Sequence, residues 1–341
     1  MPAPFDRALR DAIADAAAVM PGAELARAVE ALSWRYRDGA GGVIGRLTDA
    51  ERLAYAVVRL PATAASLDAV FDAVQRHTRV EPQTITDLGA GPGTVLWPAL
   101  SRWSGIRRVT LLDRDPVLLQ LGSQLWRGGQ AMALDSGGPA VELRTGDLAA
   151  ADAPAADVVV LSYAIGELAD ERAALVTDRA LALASAALVV VEPGTPAGFA
   201  RIRAVRDRLR AAGATLAAPC PHDDACPMAG DDWCHFAVRL DRSRAHRQSK
   251  HAALGWEDEK FSYVVAVRDP ALLRDRAEAR IVRRPRKETG HVGLSLCAPG
   301  GLADEIVRRR DPRYRDARDA GWGDAWPPLD DTTAELAPPI A

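Results

Sequence analysis

The sequence predicts an α/β protein in which a mainly parallel sheet is covered by helices and follows a helical N-terminal region. Three observations support this fold class. Apolar residues recur at helical spacing through residues 1–80, and five short β-branched runs follow between residues 84 and 194. Amphipathic stretches separate those runs. Because strands then alternate with helices, we expect a parallel sheet with helices on both faces.

The N-terminal region is predicted to be helical from the spacing of its apolar side chains. These residues recur every three or four positions, with Pro61 as a break. The clearest series consists of Leu53, Val57, Leu60, Leu67, Val70, Phe71 and Val74. The glycine-rich stretch 38–48 is expected to be a loop between helices. We therefore assign residues 1–80 to a helical region.

Seven strands are predicted after this region. They are "TITDLGAGPG" (84–93), "RRVTLLDRD" (107–115), "AVELRTGD" (140–147), "ADVVVLSY" (156–163), "AALVVVEPG" (186–194), "KFSYVVAV" (260–267) and "HVGLSLC" (291–297). A cysteine-rich segment, residues 215–260, would then be an insertion between the fifth and sixth strands. We assign residues 81–318 to one domain and the acidic, proline-rich residues 319–341 to a disordered tail.

The composition is that of a soluble globular protein, with 48% hydrophobic and 26% charged residues. No apolar run approaches the roughly 20 residues that a membrane span requires. Asp6, Asp11 and Asp15 argue against a targeting segment at the N-terminus. We expect a cytoplasmic protein that has neither a membrane nor DNA as partner. Because cytosol keeps thiols reduced, its four cysteines suggest metal binding or redox chemistry.

The first predicted strand ends in a glycine loop, "DLGAGPGT", which contains Asp87, Gly89, Gly91 and Gly93. Glycines at this point allow a tight turn and a close approach of the backbone to a ligand. A dinucleotide fingerprint would need glycine three positions after Gly91, where this chain has Thr94. The order D-x-G-x-G-x-G instead resembles motif I of class I S-adenosylmethionine (SAM)-dependent methyltransferases.

Further positions agree with that resemblance. Asp113 ends the second strand about 20 residues after the loop, where a carboxylate accepts ribose hydroxyls. Asp147 follows the third strand, where the superfamily contacts adenine. At the end of the fourth strand, Ser162, Tyr163 and Glu167 are candidates to line the pocket, although Glu167 is equally interpretable as a solvated helix residue. The N-P-P-Y-like motif of many amino-methyltransferases is missing, and no general base or nucleophile is identified.

The four cysteines of the chain form a candidate metal site. They are Cys220, Cys226, Cys234 and Cys297. The C-x5-C-x7-C intervals differ from the paired C-x2-C knuckles of common zinc sites. Thiolates select zinc or iron–sulfur, and irregular spacing with a distant fourth ligand favours a [4Fe–4S] cube, whose corners are far apart. Zinc stays open as an alternative, with His222 or His235 able to replace a cysteine. The C-x3-C-x2-C motif of radical SAM enzymes is absent.

Several stretches together resemble one family. "VEPGTPAGF" (191–199), the cysteine segment, "CHFAVRL" and "DEKFSYVVAVR" are similar to the mitochondrial small ribosomal subunit methyltransferase-like protein family, which includes bacterial members. The similarity covers roughly residues 45–300. It implies a methyltransferase fold, a [4Fe–4S] cluster on all four cysteines, and association with the small ribosomal subunit during assembly.

A basic region follows the cysteines. Between Arg239 and Arg318 there are 20 Lys and Arg against 12 Asp and Glu, which favours a polyanionic partner, with solvated helix faces as the alternative. The arm "RLDRSRAHRQSKH" (239–251) is the strongest candidate to contact rRNA. Its cations are Arg239, Arg242, Arg244, Arg247 and Lys250.

Three functions agree with these features. The first is an enzyme that uses SAM to methylate rRNA or a ribosomal protein, which the intact glycine loop and Asp113 favour. The second is a non-catalytic factor that uses the SAM fold as a scaffold for ribosome assembly, which the missing acceptor motif favours. The third is a zinc-stabilised RNA-binding protein.

Overall fold

The computed structural model describes residues 3–38, 47–133, 138–150, 152–241, 255–274 and 276–329. Its helices are α1 (Ala3–Ala18), α2 (Gly22–Asp38), α3 (Asp49–Val58), α4 (Leu60–His77), α5 (Leu96–Arg102), α6 (Pro116–Ala133), α7 (Asp170–Leu183), α8 (Pro196–Ala211) and α9 (Tyr314–Asp319). Its first eight strands are β1 (Thr84–Leu88), β2 (Arg108–Asp113), β3 (Ala140–Thr145), β4 (Ala156–Ser162), β5 (Ala184–Pro193), β6 (Thr215–Ala218), β7 (Phe236–Asp241) and β8 (Trp256–Val267). The remaining five are β9 (Ala279–Ile281), β10 (Arg286–Glu288), β11 (His291–Ala298), β12 (Gly301–Arg308) and β13 (Ala325–Trp326).

The larger sheet has the strand order β3-β2-β1-β4-β5-β8-β6, and β7 also pairs with β8. Strands β1 to β5 pair in parallel, whereas β8 runs antiparallel to β5 and to β6. The α/β class is therefore confirmed, with the Rossmann-like sheet of class I methyltransferases. In such a sheet, the carboxyl ends of β1 and β4 form the switch point where ligands bind.

The position of the cysteine segment differs from the expectation. It does not lie between the fifth and sixth strands, because the chain forms β6 before it and β7 after it. The sequence "TLAA" of β6 is too short and too rich in alanine to produce a strand pattern. Residues 219–235 therefore leave the sheet edge where β6 ends and return to the same edge as β7.

A second sheet holds the run that we expected to be the seventh strand of the first. It has the order β10-β11-β9-β13, with β12 paired to the other edge of β11. One face packs with α9 and with the buried Trp326, whose Nε1 donates to Glu305 at 2.7 Å. Residues 325–326 of the expected tail thus form a strand, and residues 330–341 lie outside the described residues.

The N-terminal helices pack against the larger sheet and share its main core. A capping box between Thr48 and Glu51 starts α3. Pro61 falls in the first turn of α4, where a missing N–H is tolerated, so the expected break separates two helices. Phe71 of α4 is fully buried against Trp103, with ring centroids 5.1 Å apart. Burial of such a ring contributes about 1.5–3 kcal/mol to stability.

Among the described residues, no single helix is both long and apolar enough to cross a membrane. In the part of the chain that the structure describes, one pair of helices, α3 and α4, passes that test when joined, although the pair is bent by 43° at the junction.

Candidate functional site

The glycine loop after β1 has a backbone that only glycine adopts easily. Gly89, Gly91 and Gly93 have φ of +82°, +52° and +67°. A Cβ on Gly89 would lie 2.5 Å from the Cβ of Ala164, and one on Gly93 would lie 2.8 Å from Leu111. A Cβ on Gly91 would have its nearest contact at 3.8 Å. The first and third glycines therefore allow close packing within the protein, whereas the side of Gly91 has room for a ligand.

Asp113, at the end of β2, is held against this loop. Its Oδ2 accepts the N–H of Gly91 at 2.8 Å, and its Oδ1 accepts the N–H of Asp115 at 2.9 Å. Burial raises the pKa of Asp113, and these two hydrogen bonds oppose that shift. The carboxylate predicted to bind ribose is thus oriented by the loop predicted to bind the rest of the cofactor.

Asp87, the last polar residue of β1, lies beneath the loop. It is only 2% exposed, and its Oδ1 has no hydrogen-bond partner among the described residues. Burial, with a smaller contribution from the nearby charge of Asp113, raises the pKa of Asp87 to about 8. An unpaired acceptor of this kind is costly unless a ligand supplies a donor.

The raised pKa of Asp87 predicts a pH dependence of stability. Its ordinary pKa is 3.8, so between about pH 4 and pH 8 the folded protein keeps a proton that the unfolded chain loses. The free energy of unfolding should therefore fall as pH rises through this window. Asp87→Asn should remove that part of the slope and stabilise the protein more at pH 8 than at pH 5.

Urea denaturation of the wild type and Asp87→Asn at both pH values measures this difference. The exposed residue Asp319 offers a matched control, Asp319→Asn, which should keep the wild-type slope. An Asp87→Asn variant with the same pH dependence as the wild type would show that Asp87 is ionised in the folded protein.

The other predicted cofactor residues lie at the same edge of the sheet. Asp147 follows β3, where its Oδ1 accepts the N–H of Ala149 at 2.8 Å and its carboxylate pairs with Arg172. Gly146 donates its N–H to the carbonyl of Asp113 at 3.0 Å, which joins the ends of β2 and β3. Ser162 ends β4 with a buried Oγ that has no partner in the described part of the chain. We call these carboxyl ends of β1 to β4 the cofactor edge.

Tyr163 directly follows β4 in a strained conformation. Its φ of +56° is rare for a bulky residue and costs about 1–3 kcal/mol. Its hydroxyl lies 3.1 Å from the Oγ of Ser66 and 3.4 Å from Glu259 Oε1, so contacts with α4 and β8 hold it. The side chain of Tyr163 is therefore held beside the end of β4 by contacts with two other elements.

Glu167 lies in a short 3-10 turn after β4 rather than on a solvated helix face. Its Oε2 accepts a hydrogen bond from Arg114 at 2.7 Å. Arg114 follows Asp113 on β2, and burial is the main cause that raises the pKa of Glu167. This ion pair connects the ends of β2 and β4 across the glycine loop.

Sequence reasoning missed three polar residues near the cofactor edge. Arg52 of α3 pairs with Asp115 at 2.8 Å, directly after the predicted ribose carboxylate. Tyr55 lies one turn further along α3, and burial raises its pKa to about 12. Glu192, at the end of β5, is 1% exposed, and burial raises its pKa to about 7. The spacing of residues along the chain did not indicate these three side chains, because only tertiary packing brings them to this edge.

All four cysteines line one cavity of about 40 Å³. We call it the cysteine cavity. Cys220 follows β6, Cys226 and Cys234 lie in the segment that leads to β7, and Cys297 lies on β11 of the second sheet. All four are free thiols. The fold therefore places the distant fourth cysteine at the same cavity as the other three.

The chemistry of this donor set fits a thiolate-bound centre. Burial raises the pKa of Cys234 well above its ordinary range and that of Cys297 to about 12. Such thiols are protonated unless a metal replaces the proton. Within the described ranges, no group of three or more His, Cys, Asp or Glu residues is arranged to hold a metal ion.

The predicted RNA arm is mostly beyond the described residues. Arg242, Arg244, Arg247 and Lys250 fall in the stretch 242–254, which the structure does not describe. Arg239 lies on β7, where it makes a bidentate ion pair with Asp258 at 2.8 and 3.1 Å. Its guanidinium also stacks 3.8 Å above the ring of Trp256. The charge of Arg239 is therefore largely balanced within the protein.

These features define an α/β protein of the class I methyltransferase fold with a thiol-lined cavity beside the sheet. The chain belongs to the family described as mitochondrial small ribosomal subunit Rsm22, whose model matches residues 49–327. It is 30% identical over 308 residues to the human "Ribosome assembly protein METTL17, mitochondrial". That match covers 83% of this chain and 64% of the human protein.

A second curated relative is "Rsm22-cox11 tandem protein 2, mitochondrial" from Schizosaccharomyces pombe. It is 26% identical over 336 residues, which cover 82% of this chain and 44% of the yeast protein. The chain thus spans about two thirds or less of the curated relatives it matches.

Solved methyltransferases are similar at a lower level. Magnesium protoporphyrin IX methyltransferase from Synechocystis PCC 6803 with bound SAH is 15% identical with a TM-score of 0.40. The match covers 69% of this chain and 92% of that one. An O-methyltransferase family protein from Burkholderia thailandensis is 18% identical with the same TM-score, over 65% and 59% of the two chains.

Proposed function

We propose that this protein binds SAM, carries a [4Fe–4S] cluster in the cysteine cavity, and acts on or with the small ribosomal subunit during its assembly. The observation that supports this most strongly is the convergence of four free cysteines, one of them from a separate sheet, on one cavity of a methyltransferase fold. Family membership and the name of the human relative, a ribosome assembly protein, support the ribosomal role.

SAM binding is supported by the residues at the cofactor edge. Gly91 leaves space beside the loop, Asp113 is positioned to accept ribose hydroxyls, and the unpaired Asp87 can accept from an ammonium group. When bound, SAM supplies an electrophilic methyl group. The chain's own residues orient the cofactor, and the Arg114–Glu167 pair joins the ends of β2 and β4 beside the loop.

Methyl transfer and a non-catalytic assembly role remain two distinct candidates. The side chain of Tyr163 and its contacts with Ser66 and Glu259 fill space beside the end of β4, which favours the non-catalytic role. Mass spectrometry of rRNA from cells that lack the protein separates them. A missing methyl group would support the enzyme, whereas unchanged rRNA with a shortage of mature small subunits would support the assembly factor.

Association with rRNA is supported by unpaired cations at one end of the second sheet. Lys287 of β10 and Arg308 of β12 flank β11 at neighbouring register positions, and Arg309 donates its N–H to the carbonyl of Gly290 at 2.9 Å. Arg310 follows. In the described part of the chain, none of these four exposed cations has an ion pair. We call this set of residues the cationic end.

Charge reversal at the cationic end should weaken association with small subunits. Arg309→Glu with Arg310→Glu replaces attraction to phosphates with repulsion, and contact energies of this kind depend steeply on salt. We expect about a tenfold loss of co-sedimentation affinity in low salt and a log–log salt slope lower by about 0.7–0.9 per lost contact. Sucrose-gradient sedimentation of tagged protein measures both.

A matched control carries the same change of net charge elsewhere. Arg108→Glu with Arg208→Glu reverses two cations that are ion-paired with Glu142 and Asp178. Equal losses in the two double variants would mean that only net charge matters. Undiminished co-migration of the first variant would refute the role of the cationic end.

A further inference from the structure

We infer that Arg206 and Arg280 are the buried counter-charges of the cysteine cavity, which make it selective for an anionic centre built on four thiolates. The inference rests on the proposed metal centre and adds two residues to it. Both side chains line the cavity together with the cysteines.

Arg206 projects from α8 and is 3% exposed. Its Nε donates to the Sγ of Cys220 at 3.3 Å, and its Nη2 donates to the carbonyls of His222, at 3.4 Å, and Asp224. Among the described residues, its one ion pair is with the exposed neighbour Asp207, at 3.2 Å from Nη1. The Nε–H of the guanidinium is thus directed at the sulfur of Cys220 and not at a carboxylate.

Arg280 lies on β9 and is 7% exposed. Its Nε donates to the carbonyl of Pro219 at 2.9 Å and its Nη1 to that of Gly323 at 3.1 Å. Its Nη2 lies 3.2 Å from the Nε2 of His77. Within the described ranges no carboxylate forms an ion pair with Arg280. A second buried cation therefore borders the cavity without a carboxylate partner among the described residues.

Two buried guanidinium groups with so little opposing charge are unfavourable, because burial of an ion costs free energy unless an opposite charge compensates. Neutral thiols do not provide that charge. Four thiolates around a metal centre do, because their negative charge exceeds the positive charge of the core. Charge-assisted N–H···S contacts would then be strongest when the centre is in place.

The alternative is that both arginines have a purely structural role and only hold neighbouring segments in place by hydrogen bonds to backbone carbonyls. In that case, their removal would destabilise the metal-free and the metal-loaded protein equally. A counter-charge instead stabilises the loaded form selectively. The difference in melting temperature between the two forms therefore separates the two roles.

The test uses full-length protein purified anaerobically, before and after removal of metal by a chelator. In Arg206→Met and Arg280→Met, we expect the metal-dependent rise in melting temperature to shrink strongly relative to wild type. The chelator concentration that removes half of the metal should fall about tenfold, the effect of losing one favourable charge. Reconstitution with iron and sulfide, and separately with zinc alone, shows for which of the two centres the arginines contribute to the metal-dependent rise in melting temperature.

Arg203→Met is the matched control, because Arg203 also lines the cavity but donates to the carbonyl of Met228, at 3.2 Å, rather than to sulfur. It should keep the wild-type metal-dependent rise. Arg206→Lys retains the charge with fewer donors and should recover part of the metal-dependent rise. If Arg206→Met fails to fold, Arg206→Lys replaces it in the test.

An unchanged metal-dependent rise in Arg206→Met and Arg280→Met would overturn the inference while leaving the proposed metal centre intact. A wild-type protein that takes up neither iron with sulfide nor zinc would overturn the metal centre itself.

Discussion

Cys297→Ser is expected to abolish the brown colour that thiolate-to-iron charge transfer would give the anaerobically purified protein, and to lower its melting temperature by about 5 °C or more. Cys297 lies on β11, whereas the other three cysteines lie between β6 and β7. A metal centre on all four would therefore tie the second sheet to the edge of the first. Loss of one ligand removes that connection as well as the metal-binding free energy, which is part of the folding free energy.

The measurement combines iron and sulfide analysis with thermal denaturation of the same samples. Met228→Leu is a suitable control, because Met228 is a buried, apolar residue of the same cavity with no role as ligand in this proposal. It should keep metal content and colour. After removal of metal, Cys297→Ser and wild type should melt at similar temperatures, since serine is close to cysteine in size.

Two results would contradict this prediction in different ways. Stoichiometric zinc without iron or sulfide in the wild type would replace the cluster with the zinc alternative. Full iron content in Cys297→Ser would show that the fourth ligand is another residue, for which His222 is the nearest candidate, with Nε2 3.4 Å from the Cys297 sulfur.

Asp113→Ala is expected to weaken SAM binding by about 100-fold, because it removes a charged acceptor that contributes about 1.5–3 kcal/mol per hydrogen bond. Gly91→Ala should weaken it as well. The new Cβ would have its nearest protein contact at 3.8 Å and would project into the space left for the ligand. Calorimetric titration with SAM measures both affinities.

Gly105→Ala is the matched control for the glycine change. Gly105 does not have a positive φ, and its Cβ would have no heavy atom within 4 Å, so the substitution should leave SAM affinity unchanged. Wild-type affinity in both Asp113→Ala and Gly91→Ala would place the cofactor elsewhere. Thermal denaturation of each variant shows whether a lost affinity reflects a lost fold.

Local sequence patterns predicted most strands of the larger sheet. The runs that became β1, β2, β4 and β5 are apolar and β-branched because both of their faces are buried, and this pattern is visible without any partner. The positive φ angles of Gly89, Gly91 and Gly93 likewise follow from a local turn. Strand β6 was missed because four residues with three small or polar side chains give no periodic signal.

The ion-pair partners of charged residues were the feature that was hardest to predict from the sequence. The contact of Arg239 with RNA stays a prediction, whereas its ion pair with Asp258 on the neighbouring strand, 19 positions away, was not predicted. For Glu167, the sequence allowed either a pocket residue or a solvated helix residue. The structure shows that it accepts a hydrogen bond from Arg114, 53 positions away, beside the glycine loop. Because ion pairs form between elements that only the fold brings together, a count of charges along the chain does not reveal which ones are compensated.

The sequence by itself determined the parallel strands of the larger sheet, the glycine loop and the supply of four thiols, because each depends on residue type and local spacing. The tertiary structure decided that Cys297 joins Cys220, Cys226 and Cys234 around one cavity, and that Arg206 and Arg280 are buried beside them. The physical reason is that burial and electrostatic pairing are set by distances between segments far apart in the chain, which spacing along it does not encode.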